Sequence, residues 1–272
     1  MTAAVVPAPS RASFEQPSAV RLRFSGILAS EWIKLTTLRS TVWAYAIVVV
    51  VQIGMGVVLV LTQGDLDAPG QAANQLAVLP STLGILLNQL VISVLGVLVI
   101  SGEYGTGQIR SSLTAVPRRT PVLVAKAIVF SVTTFVVGLV SVFAAYAVTW
   151  PLLEARGVAS DLSDPDLWGR LVGGAGYLAL VGLMALFLGA VLRHTAGGIA
   201  AALGLLLVLP SVLSFIDADW VRVLVDWLPG NVGQTLFLGS STFEPWQAVL
   251  VMLGWIAVFA TAAVVLLKRR DA

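Results

Sequence analysis

The residues of this chain best placed to do chemistry lie in one polar stretch, SGEYGTGQIRSSLTAVPRRTP, running from Ser101 to Pro121 between two long apolar runs. Glu103 stands where the preceding apolar run ends, Gly105 and Gly107 interrupt a helix, and Pro117 is followed by Arg118 and Arg119. A short helix over about 108–115, stopped at the proline, fits the pattern. A charged, structured element at a membrane exit has the chemistry of a docking surface for a partner. An ordinary basic loop accounts for the same residues, and both readings stand.

Sites of other kinds are poorly represented. The single histidine, His194, follows Arg193 with no second ligand at a metal-binding spacing, and reads as a turn residue. Asp161, Asp164 and Asp166 are close enough in sequence to hold a cation, but they lack the glycine and distal glutamate of a calcium loop and read as a solvated loop. Gly174 and Gly176 resemble half of a dinucleotide fingerprint, yet no strand precedes them, and they read as packing glycines. The absence of cysteine excludes thiolate catalysis, and no G-x-x-x-x-G-K-[ST] run is present to bind ATP as a P-loop does. The expectation is a chain with no catalytic set, no metal site and no cofactor of its own.

The elements that must position these residues follow from composition. Of 272 residues, 58% are hydrophobic and 11% charged, and the mean hydropathy is +0.94, too apolar for a soluble domain. The charges are excluded from stretches of about twenty residues, the length at which a helix crosses roughly 30 Å of hydrocarbon. These runs are continuous rather than alternating, which argues against a barrel. The expected fold is an all-α integral membrane protein with six transmembrane helices, at about 41–61, 79–100, 122–148, 171–192, 196–215 and 247–267.

Thirteen of the 16 basic residues fall on one side of this layout: Arg11, Arg21, Arg23, Lys34, Arg39, Arg110, Arg118, Arg119, Lys126, Arg193, Lys268, Arg269 and Arg270. That side is expected to be cytoplasmic, with both termini there. The other loops hold Arg156, Arg170 and Arg222 amid most of the acids. The basic pI of about 9.2 is then a consequence of topology, not of nucleic-acid binding.

Residues 1–17 read as a disordered cytoplasmic tail, and 18–39 as an amphipathic helix in the membrane interface. Phe24, Ile27, Leu28, Trp32, Leu35 and Leu38 share one face of that helix at 100° per residue. A cytosolic helix packed on a partner is the alternative. Residues 40–272 form the six-span domain. The segment from Ile216 to Trp246 mixes aromatic and acidic residues, as either a gate cap or a plain aromatic belt would. Small residues spaced by four, Gly169 with Gly173 and Gly198 with Ala202, suit close helix packing.

No ionisable side chain lies near mid-depth in any expected span, so ion-coupled transport has no visible machinery. Lys126, about a turn from the cytoplasmic end of the third span, can snorkel to the interface. Gln52, Asn88 and Gln89 sit near mid-depth, either lining a translocation path or bonding helices to one another.

The Ser101–Pro121 segment resembles the intracellular loop of ABC transporter permeases of the type-2 exporter class, which run Glu, Gly-Thr, a basic residue, then Pro with basic neighbours. SEWIKLTTLRSTVW, from Ser30 to Trp43, is similar to the amphipathic entry into the first span in actinobacterial members of that family. The resemblance implies a cytoplasmic coupling helix between spans two and three, seated on a separate P-loop ATPase present in two copies. That partner would bind the ATP and Mg, and a second permease subunit would complete the unit, preferentially as a homodimer. Carried over by position, Glu103, Tyr104, Thr106, Gln108, Arg110, Pro117, Arg118 and Arg119 belong to the coupling loop, and Glu31, Trp32 and Lys34 to the interfacial helix. Arg110 departs from the pattern, since the family's basic residue often follows Gly-Thr sooner. The implied function is efflux of an amphipathic, drug-like, lipid-like or peptide molecule across the plasma membrane by alternating access. The alternatives are an ATPase-independent transporter or channel, or a membrane scaffold or sensor subunit. Glu103 and Arg110 are both expected to lie outside the hydrocarbon, so that substituting them leaves the spans folded.

Overall fold

The computed structural model describes residues 23–62, 71–107, 119–158, 160–239 and 242–269, and every regular element among them is a helix. In chain order these are α1 (Phe24–Thr37), α2 (Arg39–Thr62), α3 (Gln71–Leu83), α4 (Ile85–Gly105), α5 (Arg119–Glu154), α6 (Pro165–Leu192) and α7 (Thr195–Leu203). A π-helical turn (Gly204–Val208) then leads into α8 (Leu209–Leu213), α9 (Asp219–Asp226), α10 (Pro229–Leu238) and α11 (Pro245–Arg269).

Among the described residues, six helical stretches are long and apolar enough to cross a membrane: Arg39–Thr62, Asn74–Gly105, Thr120–Glu154, Pro165–Leu192, Thr195–Leu213 and Pro245–Leu267. This is the layout of a multi-pass membrane protein. Each expected span overlaps one of them. Several observed helices run a turn or more further, because backbone hydrogen bonding continues past the point where side chains turn polar.

Helix α6 is the hub. Asp164 caps it by accepting from the Asp166 N–H, and Pro165 at its first turn needs no donor. About 67% of its apolar window is buried, against 17% for the fifth and sixth spans, so the other helices are arranged around it. One close seam is with α4. A Cβ on Gly96 would lie 2.5 Å from the Gly182 carbonyl oxygen, so the backbones approach there because Gly96 lacks a side chain, while the bare Gly182 makes room for Ile92 and Phe130. The predicted packing glycines divide. Gly173 receives the Leu236 carbonyl, Gly174 receives Ile85 and Phe237, and Gly198 receives Val97. A Cβ on Gly169 or Gly176 would meet nothing within 4 Å among the described residues.

The second span is broken. Pro80 lies inside α3, and a single turn residue, Gly84, with φ −57° and ψ −21°, separates α3 from α4. Gln52 of α2 spans the interruption, donating to the Ser81 carbonyl at 2.6 Å while its own carbonyl accepts from Asn88 Nδ2 at 2.8 Å. Asn88 also donates to the Val48 carbonyl at 3.0 Å. Gln89 donates to the Leu86 carbonyl and accepts from the Tyr177 hydroxyl of α6. All three amides are buried. Gln52→Leu removes both bonds across the break and is expected to cost about 1–2 kcal/mol, read as a lowered midpoint of unfolding in mixed micelles. An unchanged midpoint would show that the amide does not hold the break.

The segment from Ile216 to Trp246 contains two helices rather than a plain connection. Helix α9 exposes Trp220, Val223, Leu224 and Trp227. Helix α10 instead turns back into the bundle against α6, α11 and the π-helical turn, burying Val232, Leu236 and Phe237, with Gly233 under the Tyr177 ring. The Trp227 carbonyl ahead of it accepts from Trp255 Nε1 of α11 at 3.0 Å.

The described charges gather at opposite ends of the bundle. Lys34, Lys126 and Arg193 meet the last turn of α4. At the far end Arg156 donates to the Val60 carbonyl, and Arg170 pairs with Asp166 and donates to the Leu238 carbonyl. The two groups of basic residues separated in the sequence are thus also separated in space.

Candidate functional site

The polar stretch that begins at Ser101 starts inside a helix. Helix α4 continues to Gly105, and Thr106 closes it, its hydroxyl donating to the Gly102 carbonyl at 2.9 Å before Gly107 turns at φ 72°. Glu103 is therefore held rigidly on the last helical turn and faces the bundle, 7% exposed.

Helix α1 is positioned to meet it. The chain bends at Leu38, whose backbone is extended, and α1 folds against α5 through Ile27, which packs with Val122 and Ala125. Its inward stripe is Ile27, Glu31 and Leu35 at i, i+4, i+8, so a carboxylate occupies the middle of the packed face. Of the six residues assigned to one apolar face, Ile27 and Leu35 are buried, whereas Phe24, Trp32 and Leu38 are exposed. The face turned to the bundle is thus a narrow stripe that includes Glu31, and the exposed apolar residues lie beside it.

Four charges converge there. Lys126 Nζ on the first turns of α5 lies 2.6 Å from Glu31 Oε2 and 3.0 Å from Glu103 Oε1. Lys34 Nζ lies 2.7 Å from Glu31 Oε1 and 2.9 Å from the same Glu103 oxygen. Each ammonium bridges both carboxylates, and the formal charges cancel. Glu31 and Lys126 are 4% and 3% exposed. Lys126 does not reach out to the surface as expected: it turns inward, where two carboxylates are within its reach. Glu103 Oε2 is buried with no hydrogen-bond partner among the described residues.

Burial works against ionisation of Glu31, but the Lys126 charge and the hydrogen bonds from Lys126 and Lys34 outweigh it and hold the carboxyl below its usual 4.5. Burial likewise opposes the charge on Lys34, and the bonds and charges of Glu31 and Glu103 raise it above 10.5. The signs define a window. Glu31 contributes stability that is full above pH 4.5 and is lost as pH falls through its lower folded value, and Lys34 contributes stability that is full below pH 10.5 and is lost as pH rises through its higher one. Unfolding midpoints of the parent and Glu31→Gln, followed from about pH 3 to 8, are expected to differ by a constant amount at neutral pH and to converge on the acid side. Parallel curves down to the acid limit would sink this account.

The structure brings together Glu31, Lys34 and Glu103 of the sequence-predicted residues. Trp32, next to Glu31, points away and is exposed. The Tyr104 ring lies under the Arg193 guanidinium, 5.1 Å from its carbon to the ring centre. Arg119 is the first residue of α5. Gln108, Arg110, Pro117 and Arg118, with the expected coupling helix, lie outside the described residues. Gln52, Asn88 and Gln89 sit apart, in the helix contacts at the break. Glu103 is buried in ion pairs with two other helices, so its substitution bears on folding as well as on any loop function, against the expectation that the spans would be unaffected.

Lys126 was the residue sequence reasoning undervalued. A signal existed: of the 14 acids only Glu15, Glu31, Glu103 and Asp271 fall on the basic side of the layout, and a lysine inside an apolar run needs such a partner. Elsewhere the acidic loop has structural work. Asp161 accepts from the hydroxyl and N–H of Ser163, bonds that hold it below the usual carboxylate range. Asp164 caps α6 and accepts from Asn74 at 2.7 Å, and His194 caps α7 by accepting from the Gly197 N–H at 3.1 Å. Neither a protein-family model nor a curated protein matches this chain.

Proposed function

We propose that this chain is the membrane-spanning permease subunit of an ATP-driven ABC exporter of the type-2 class, working with a separate cytoplasmic P-loop ATPase. The observation that carries this reading is the charge ring of Glu31, Lys34, Glu103 and Lys126. It clamps the entry helix α1, the last turn of the second span and the first turns of the third into one unit on both flanks of the Ser101–Pro121 loop. A partner pressing on that loop would move three helices together rather than bend a flexible connection. The spans add a second support. Their charged residues, such as Arg39, Glu103, Lys126, Glu154, Asp166 and Arg170, stand near helix ends, so an energy source outside the chain suits them better than ion coupling.

In this reading the basic end of the bundle faces the cytoplasm, both termini lie there, and the loop carries the coupling helix in the plasma membrane. Two permease subunits, preferentially identical, enclose the path, and ATP-driven closure of two ATPase copies shifts them between inward- and outward-facing forms. Carrying such an equilibrium from 1:99 to 99:1 takes about 5.5 kcal/mol of differential binding. The cargo class is an amphipathic, drug-like, lipid-like or peptide molecule.

The test is affinity purification of the tagged chain from native membranes in mild detergent. Recovery of a P-loop ATPase that Arg110→Glu releases supports the reading. Its absence in several detergents moves the assignment to an ATPase-independent transporter or a scaffold.

A further inference from the structure

The last turn of α4 holds more than the charge ring. Glu103 and Tyr104 are consecutive, so their side chains leave the helix about 100° apart and meet different neighbours. Glu103 binds Lys34 of α1 and Lys126 of α5. Tyr104 carries on its ring the guanidinium of Arg193, the residue that ends α6. Arg193 in turn donates to the Leu266 carbonyl near the end of α11, at 3.1 Å. One turn back, Ser101 accepts from the Thr195 hydroxyl at the start of α7, at 3.0 Å. Arg193 also adopts φ 54°, and it is the one non-glycine residue with positive φ among those described. An arginine held in this left-handed conformation is strained relative to glycine or asparagine, and such strain persists where the surroundings need that side chain.

We infer that the Glu103–Tyr104 turn is a two-sided junction, in which Arg193 is the positioning residue that passes movement of the following loop to α6 and α11 while the charge ring passes it to α1 and α5. The inference rests on the exporter reading for its purpose, but its physical content does not need the ATPase. A displaced α4 terminus moves the ends of five helices as one body. Arg193 adds, at the α4 terminus itself, a side-chain link to α6 and α11 beyond the backbone seam at Gly96 and the Ser101–Thr195 bond.

A double-mutant cycle in the purified full chain tests this. Lys126→Met and Arg193→Asn alter opposite sides of the turn, and asparagine tolerates the left-handed backbone. If the turn is a junction, the two changes are non-additive, with a coupling factor above about threefold in the unfolding equilibrium constant. Tyr104→Phe, which keeps the ring, retains that factor, and Tyr104→Leu returns it to about one. A factor at or below threefold, or one that survives Tyr104→Leu as direct repulsion between the two cations would, overturns the inference. Should Lys126→Met fail to fold, Lys34→Met, which loosens the same Glu103 oxygen, takes its place. An additive cycle would leave the exporter reading standing, and failure to recover an ATPase would leave the junction standing.

Discussion

Lys126→Met is expected to lower the free energy of unfolding by about 3–5 kcal/mol, the cost of leaving a buried charge uncompensated. The substitution keeps the length and apolar stem of the side chain, so packing changes little. The ring does change: Glu31 Oε2 loses the ammonium 2.6 Å away, and two buried carboxylates are left to share Lys34. The sign of the whole effect can be checked by adding Glu31→Gln. That second change restores charge balance, with Glu103 facing Lys34 alone, and is expected to recover at least half of the loss although it removes another charged group. Denaturation in mixed micelles, followed by tryptophan fluorescence, measures both. If Lys126→Met unfolds with the parent, the four charges are solvated and the ring is not what fastens α1 to the bundle. A buried ion-pair network is weak evidence of net stabilisation, since well-packed apolar residues often do as well. What the ring does in this protein is join α1, α4 and α5 at one point.

Gly96→Val should cost about 3 kcal/mol, at the upper end of what overpacking a close contact costs. The nearest atom to the added Cβ is the Gly182 carbonyl oxygen at 2.5 Å, followed by the Leu186 nitrogen at 3.2 Å. Both belong to the backbone of α6, so no change of rotamer relieves the clash and α4 must withdraw from the hub. Gly102→Ala, on the same helix with nothing within 4 Å, is the control. It is expected to be neutral or to gain about 0.5–1 kcal/mol from reduced backbone entropy. Equal stability of the two variants would mean that α4 and α6 do not touch at this seam.

The spans were legible in the residues because the signal is local: about twenty apolar residues without charge can satisfy their backbone in lipid only as a helix. Even the break in the second span had a marker in Gly84. Its consequence did not, because the Ser81 carbonyl is taken up by Gln52, a residue on a different helix. The outer segment from Ile216 to Trp246 showed its aromatic and acidic mix but not its two helices, for the same reason. Pro229 and Gly233 look like loop punctuation, and only the α6 surface makes them a helix start and a seat for the Tyr177 ring. On α1 the apolar spacing marked Ile27 and Leu35, but not Glu31 between them, as packed against the bundle, because hydrophobicity ranks a glutamate as outward while two lysines draw it in.

By itself the sequence determined an all-helical chain, six runs able to cross a bilayer, a basic end and an acidic end, and a polar stretch starting near Glu103. Each of these depends on residue type within one window of chain. Tertiary structure alone decided that Glu103, Lys34, Glu31 and Lys126 form one neutral ring, that α6 stands at the centre, and that Arg193 closes over Tyr104. These pairings join residues as far apart as 95 positions, as Glu31 and Lys126 are. Their energy depends on distance and desolvation, which come into being only when the helices have packed.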